Sequence, residues 1–119
     1  MLEKFSKENK REFRRINIEL KASYRIQDIE RNEGCAEIQN LGHGGLMFIA
    51  SSAINKGDLV DMTVYFNESA IPFHARIVWS MELTGTWPQE CKHGAAYTEI
   101  STLEQSYLSF IIGSNHKIK

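Results

Sequence analysis

Arg11 and Arg15 stand four residues apart in Lys10-Arg11-Glu12-Phe13-Arg14-Arg15, just ahead of a long alternating segment. A guanidinium is a rigid planar fork of donors, suited to phosphates and to guanine edges. Further along comes Asn40-Leu41-Gly42-His43-Gly44-Gly45, which reads as a glycine-rich turn. Without Cβ atoms, backbone N–H groups there can approach a ligand closely. Gly45 is expected to hold a positive φ or to leave room for a base. Asn40 carries both an amide donor and an acceptor, which matches a purine edge. Arg11, Arg15, Asn40, Gly42 and Gly45 therefore describe a site for a small anionic purine ligand. Lys10 and Arg14 would add electrostatic support, with His43 and Gly44 in the loop beside it.

The elements that must position these residues are strands. From Ile16 the even positions read Ile16, Ile18, Leu20, Ala22, Tyr24 and Ile26, with polar residues between them. Period-two alternation of this kind marks a half-buried strand. A short strand is expected around Cys35 to Gln39, and another over Leu46 to Ala50. A strand from Leu59 to Phe66 carries Val60, Met62, Val64 and Phe66 on one face. In the next, Ile71, Phe73, Ala75, Ile77 and Trp79 alternate with Pro72, His74, Arg76, Val78 and Ser80, and the last runs from Glu90 to Tyr97. That alternation places Trp79 in the core; at a barrel mouth its indole would instead stack on a base.

One helix closes the chain. Ser101-Thr102-Leu103-Glu104 is a capping box, and Leu103, Tyr107 and Ile111, joined by Leu108 and Ile112, make one apolar face. Gly113 suits a helix C-terminus, which leaves residues 113–119 as a frayed tail. Six short strands and one helix predict an all-β barrel with a C-terminal helix, because closure removes exposed strand edges. The expected organisation is a flexible basic arm over 1–15, a barrel with its closing helix over 16–112, and the tail.

The chain has 119 residues and a net charge of −1, which suits a single domain. Lys4, Lys7, Lys10, Arg11, Arg14 and Arg15 outnumber Glu3, Glu8 and Glu12 in the arm, so the remainder is mildly acidic. An acidic body argues against broad nucleic-acid binding, which uses basic folded surfaces. A barrel for single-stranded nucleic acid is the rival that this charge balance disfavours. No apolar run reaches the roughly 20 residues needed to span a bilayer, and the first ten residues lack the apolar core of a signal peptide. A cytoplasmic protein without membrane insertion is expected. Cys35 and Cys91 form no metal or redox motif and are expected as buried free thiols. Cys91 and His93 share a strand face, but His43, His74, His93 and His116 are scattered and form no zinc-like set. Neither a metal, a cofactor nor an enzyme is indicated.

In order and spacing these residues resemble a PilZ domain, the bacterial receptor module for cyclic di-GMP. The family pattern is an R-x-x-x-R arm followed by [D/N]-x-S-x-x-G after the second strand. Arg11 and Arg15 match the arm, and Asn40 and Gly45 match the ends of the second motif. Gly42 stands where the family has serine. Lys56-Gly57-Asp58, Arg76-Ile77-Val78-Trp79 and Gly94-Ala95-Ala96-Tyr97 extend the resemblance over residues 10–112. It implies a six-stranded antiparallel PilZ-type β-barrel whose arm folds over bound cyclic di-GMP and signals to a protein partner. Motility, biofilm or exopolysaccharide synthesis, and pilus assembly are processes in which the family takes part. Loss of the serine hydroxyl costs about 0.5–1.5 kcal/mol, or two- to tenfold in affinity, if that hydroxyl contributes one hydrogen bond. The alternative is a degenerate PilZ domain that binds no nucleotide and acts as a protein-interaction module.

Overall fold

A computed structural model describes residues 15–27 and 33–117, with side chains up to residue 113. Lys10, Arg11 and Arg14 lie outside the described residues. The element order is β1 (Arg15–Ile26), β2 (Glu33–Gly42), β3 (Gly45–Ala50), β4 (Leu59–Phe66), β5 (Ser69–Glu82), β6 (Cys91–Tyr97) and α1 (Thr102–Lys117). The strands close into an antiparallel barrel in the order β1-β2-β3-β6-β5-β4, with β4 paired back to β1.

The alternation read in β1 holds, with Ile16, Ala22, Tyr24 and Ile26 buried and Ile18 and Leu20 partly so. Phe48, Val60, Met62, Val64, Phe73 and Ile77 fill the same interior. The β4–β5 connection turns at Asn67 and Glu68, whose φ values of 50° and 70° suit a two-residue hairpin turn. Gly57, at φ 97°, turns the chain into β4.

The capping box forms as expected. Glu104 N donates to Ser101 Oγ at 3.1 Å, and Ser101 N donates to Glu104 Oε1 at 3.0 Å. Leu108, Ile111 and Ile112 pack the helix onto the barrel, while Leu103 is 61% exposed and lies off the buried face. The helix continues through Gly113 to Lys117 instead of stopping there. A glycine inside a helix costs only about 1 kcal/mol, and no proline follows to end it.

Three further expectations are corrected. Asn40, Leu41 and Gly42 belong to β2 and Gly45 opens β3, so the connection between the strands is His43–Gly44 alone. Arg15 is the first residue of β1, paired with Gly42, so it belongs to the barrel rather than to the segment ahead of it. Cys35 is exposed; only Cys91 is buried.

Candidate functional site

Two β-bulges place the site on the outside of the barrel. In the β2–β3 ladder Ile38 faces Phe48 but Asn40 faces Met47, so Gln39 is the extra residue. Inward parity accordingly passes from Ala36 and Ile38 to Leu41, and Asn40 turns outward. In the β5–β6 ladder Ile77 faces Ala95 but Trp79 faces Gly94, so Val78 is extra. The expectation of Trp79 in the core is corrected by that bulge: the indole is 38% exposed on the outer face. Re-aiming a side chain beside a site is a recurrent use of bulges.

Cross-strand partners share one face of a sheet. The registers therefore define one outer row, Asn17–Asn40–Met47–Gly94–Trp79, crossing β1, β2, β3, β6 and β5. Arg15 Nη1 donates to Asn40 Oδ1 at 2.7 Å. Asn40 Nδ2 points to Met47 Sδ at 3.9 Å, so both ends of the amide are oriented. A Cβ built on Gly94 would meet three atoms of the Trp79 indole within 3.0 Å, so the indole lies directly over that glycine.

Gly45 serves close approach. A Cβ there would collide with the Ala95 carbonyl of β6, and its φ is not positive, which corrects that part of the expectation. Gly42 and Gly45 are both buried, and Gly44 is exposed in the connection. His43 Nε2 shares a hydrogen bond with Ser109 Oγ at 3.1 Å, tying the connection to α1. Tyr97 follows Ala96 at the end of β6. Burial pushes its phenol up, and the nearby charge of Arg15 partly offsets this. The Tyr97 hydroxyl has no hydrogen-bond partner among the described residues.

The structure thus brings Arg15, Asn40, Gly42, Gly45, His43 and Trp79 to one end of the barrel's outer face. Sequence reasoning missed Met47 and the indole's position over Gly94, because only the paired registers reveal them. A groove of about 770 Å³ lies elsewhere, beside Cys35 and Tyr65. Its single cation, Lys21, is outnumbered there by Glu37 and Glu90, which suits an anion poorly. Among the described residues no group of histidine, cysteine and carboxylate side chains could hold a metal ion. No described helix is long and apolar enough to cross a membrane.

A family model described as PilZ domain matches residues 9–112. The fold is similar to the PilZ domain of YcgR from Escherichia coli with c-di-GMP, at a TM-score of 0.72 and 15% identity. That match covers 90% of this chain and 92% of the other. The Bacillus subtilis inhibitor of motility (MotI/DgrA) gives a TM-score of 0.72 at 16% identity, covering 92% of this chain and 52% of that one. The PilZ domain of CeSA from a cellulose-synthesizing bacterium gives 0.62 at 13% identity, covering 86% and 98%. At these identities the likeness is one of fold. No functionally curated protein matches the chain significantly.

Proposed function

The chain belongs to the PilZ domain family, and from that premise we propose that it is a non-enzymatic receptor for cyclic di-GMP. The observation that carries the reading is the hydrogen bond from Arg15 to Asn40, at one end of an outer row that finishes under the Trp79 indole. These are an arginine fork, an amide and an aromatic face, the three groups that recognise phosphate, purine edge and purine ring.

Asn40 and Gly94 are two strand steps apart, or about 9–10 Å, and the indole reaches back over Gly94. A purine between them can stack on the indole and Met47 while its edge meets Asn40. Binding exchanges hydrogen bonds. Arg15 leaves Asn40 Oδ1 for a phosphate or for guanine O6 and N7, and the freed Oδ1 accepts from guanine N–H groups. Asn40 Nδ2, directed at a weak thioether acceptor, remains an available donor. Arg11, four residues before Arg15, would engage the second phosphate or a purine face as the arm folds over the ligand. Lys10 and Arg14 add positive charge, and Gly44 and His43 border the site.

Arm ordering would change the outer surface and so the fit of a protein partner, in the cytoplasm where the second messenger is made. Control of motility, exopolysaccharide synthesis or pilus assembly is the output this reading supports. Gly42 favours one alternative, a PilZ domain that binds no nucleotide and serves only as an interaction module, because it lacks the hydroxyl of the family serine. Calorimetric titration with cyclic di-GMP separates the two. Saturable heat that Arg15→Ala removes supports the receptor. No heat at several hundred micromolar ligand favours the interaction module.

A further inference from the structure

A second outer row lies beside the first, and it ends in a cation outside the R-x-x-x-R and [D/N]-x-S-x-x-G patterns. Arg15 pairs with Gly42 across β1 and β2. Beyond the His43–Gly44 connection, Gly45 pairs with Ala96, and Ala96 pairs with Arg76 on β5. The floor between the two arginines is therefore Gly42, Gly45 and Ala96, three residues with at most a methyl group. Arg15 and Arg76 are four strand steps apart, or about 19 Å along the outside of the barrel, and each side chain is long enough to lie back over the floor from its own end.

We propose that Arg76 is the second cationic wall of this cradle and binds the ligand's phosphate or guanine oxygen atoms opposite Arg15. This rests on the cyclic di-GMP reading above and extends it to a residue outside both arginine and glycine motifs.

Three observations support the assignment. Arg76 faces outward, because its neighbours Ala75 and Ile77 are both fully buried. Its side chain is exposed, and its hydrogen bond to the Gly57 carbonyl is long at 3.5 Å, so little holds the guanidinium away from the floor. Among the described residues it makes no ion pair; the Asp61 carboxylate on that side of the barrel is hydrogen-bonded to His74 at 2.7 Å instead. Trp79, three residues further along β5, lies in the adjacent outer row, so β5 supplies both a ring face and a charge. A ligand with two phosphates and two purines suits a cradle with a cation at each end and an aromatic face alongside.

The test is calorimetric titration of cyclic di-GMP into the full chain, Arg76→Gln and Arg25→Gln. Arg25 is an exposed arginine of β1 that pairs with Glu33 and Asp61, away from the cradle, so its variant matches the change in net charge. The expected result is about tenfold weaker binding for Arg76→Gln, the effect of one charge-assisted contact at an exposed position. Arg25→Gln should stay within twofold, with unchanged melting temperatures throughout. Full-strength binding by Arg76→Gln, or equal weakening by both variants, overturns the role of Arg76 and leaves the receptor reading standing. Absence of binding by the unaltered chain overturns both.

Discussion

Gly94→Ala is the sharpest perturbation of the site, because it moves Trp79 without altering Arg11, Arg15, Asn40, Gly42 or Gly45. The added Cβ would sit within 3.0 Å of the indole Nε1, Cε2 and Cδ1 atoms, so the ring must lift from β6. It can do so outward, since Trp79 is already 38% exposed. The substitution itself is mild for the strand, where alanine exceeds glycine by about 0.5–1 kcal/mol. Melting temperature should therefore change by only a few degrees. Binding should suffer more. Stacking of a base on an aromatic side chain is worth about 1–3 kcal/mol, or roughly five- to 150-fold in affinity. Titration in a Trp87→Phe background reads this directly, because Trp79 is then the sole tryptophan and its emission should be quenched by ligand in the parent but not in the alanine variant. Trp87 is 95% exposed, so removing it leaves the core intact. Affinity within twofold of the parent, with the same quenching, would refute the placement of the indole in the ligand site.

Gly42→Ser restores a hydroxyl on the outer face opposite Arg15 and should tighten cyclic di-GMP binding by about two- to tenfold, the value of one hydrogen bond; unchanged or weaker binding contradicts that account of the position. His93 is fully buried and stacked on Phe48 at 4.9 Å, and its Nε2 accepts from Ile54 N at 3.1 Å, so burial holds its pKa below the ordinary 6.5. The unfolded chain takes up this proton at a higher pH than the folded one. The contribution is therefore complete above about pH 6.5 and declines as pH falls through the window below it, by at most about 1.4 kcal/mol per unit. Thermal melts of the parent and His93→Gln should show that slope flattened in the variant; parallel slopes would exclude His93 as its source. Asp61 contributes in a separate, more acidic window. Burial raises its pKa, but hydrogen bonds from Gln27 and His74 outweigh this and hold it below the usual carboxylate range.

The barrel was legible because strand periodicity is written in side chains. Ile16 to Ile26 alternates without interruption, and Ser101 with Glu104 announces the helix start three residues apart. The arginine–asparagine pairing was legible as chemistry, although only the register of β1 on β2 brings Arg15 and Asn40 into contact. What stayed hidden depends on partners across the sheet. Gly45 looks like a turn glycine, yet its need for a missing Cβ comes from the Ala95 carbonyl fifty residues away. Arg76 reads as an ordinary polar position in an alternating strand until Ala96 and Gly45 are seen to lie beside it. Leu103 matches the helical period of Tyr107 and Ile111, but the buried face follows Leu108, Ile111 and Ile112.

The bulges at Gln39 and Val78 show why parity failed at the site in particular. A bulge has no side-chain signature; it appears only when two residues are opposed to one on the neighbouring strand. Each resolves a conflict between strand alternation and core packing. Unbroken alternation from Ala36 and Ile38 would aim Asn40 into the barrel, where an unpaired amide costs about 1–3 kcal/mol. It would also aim Trp79 inward beside Phe73 and Ile77, which already fill that interior with at most 1% exposure. The bulge at Val78 leaves that valine 42% exposed and turns the indole to the surface. Forfeiting a ladder bond and exposing a valine is unfavourable for the strand alone. The two irregularities together set the amide and the indole on one outer row, three strand steps apart across Met47 and Gly94, the row on which the proposed receptor reading rests.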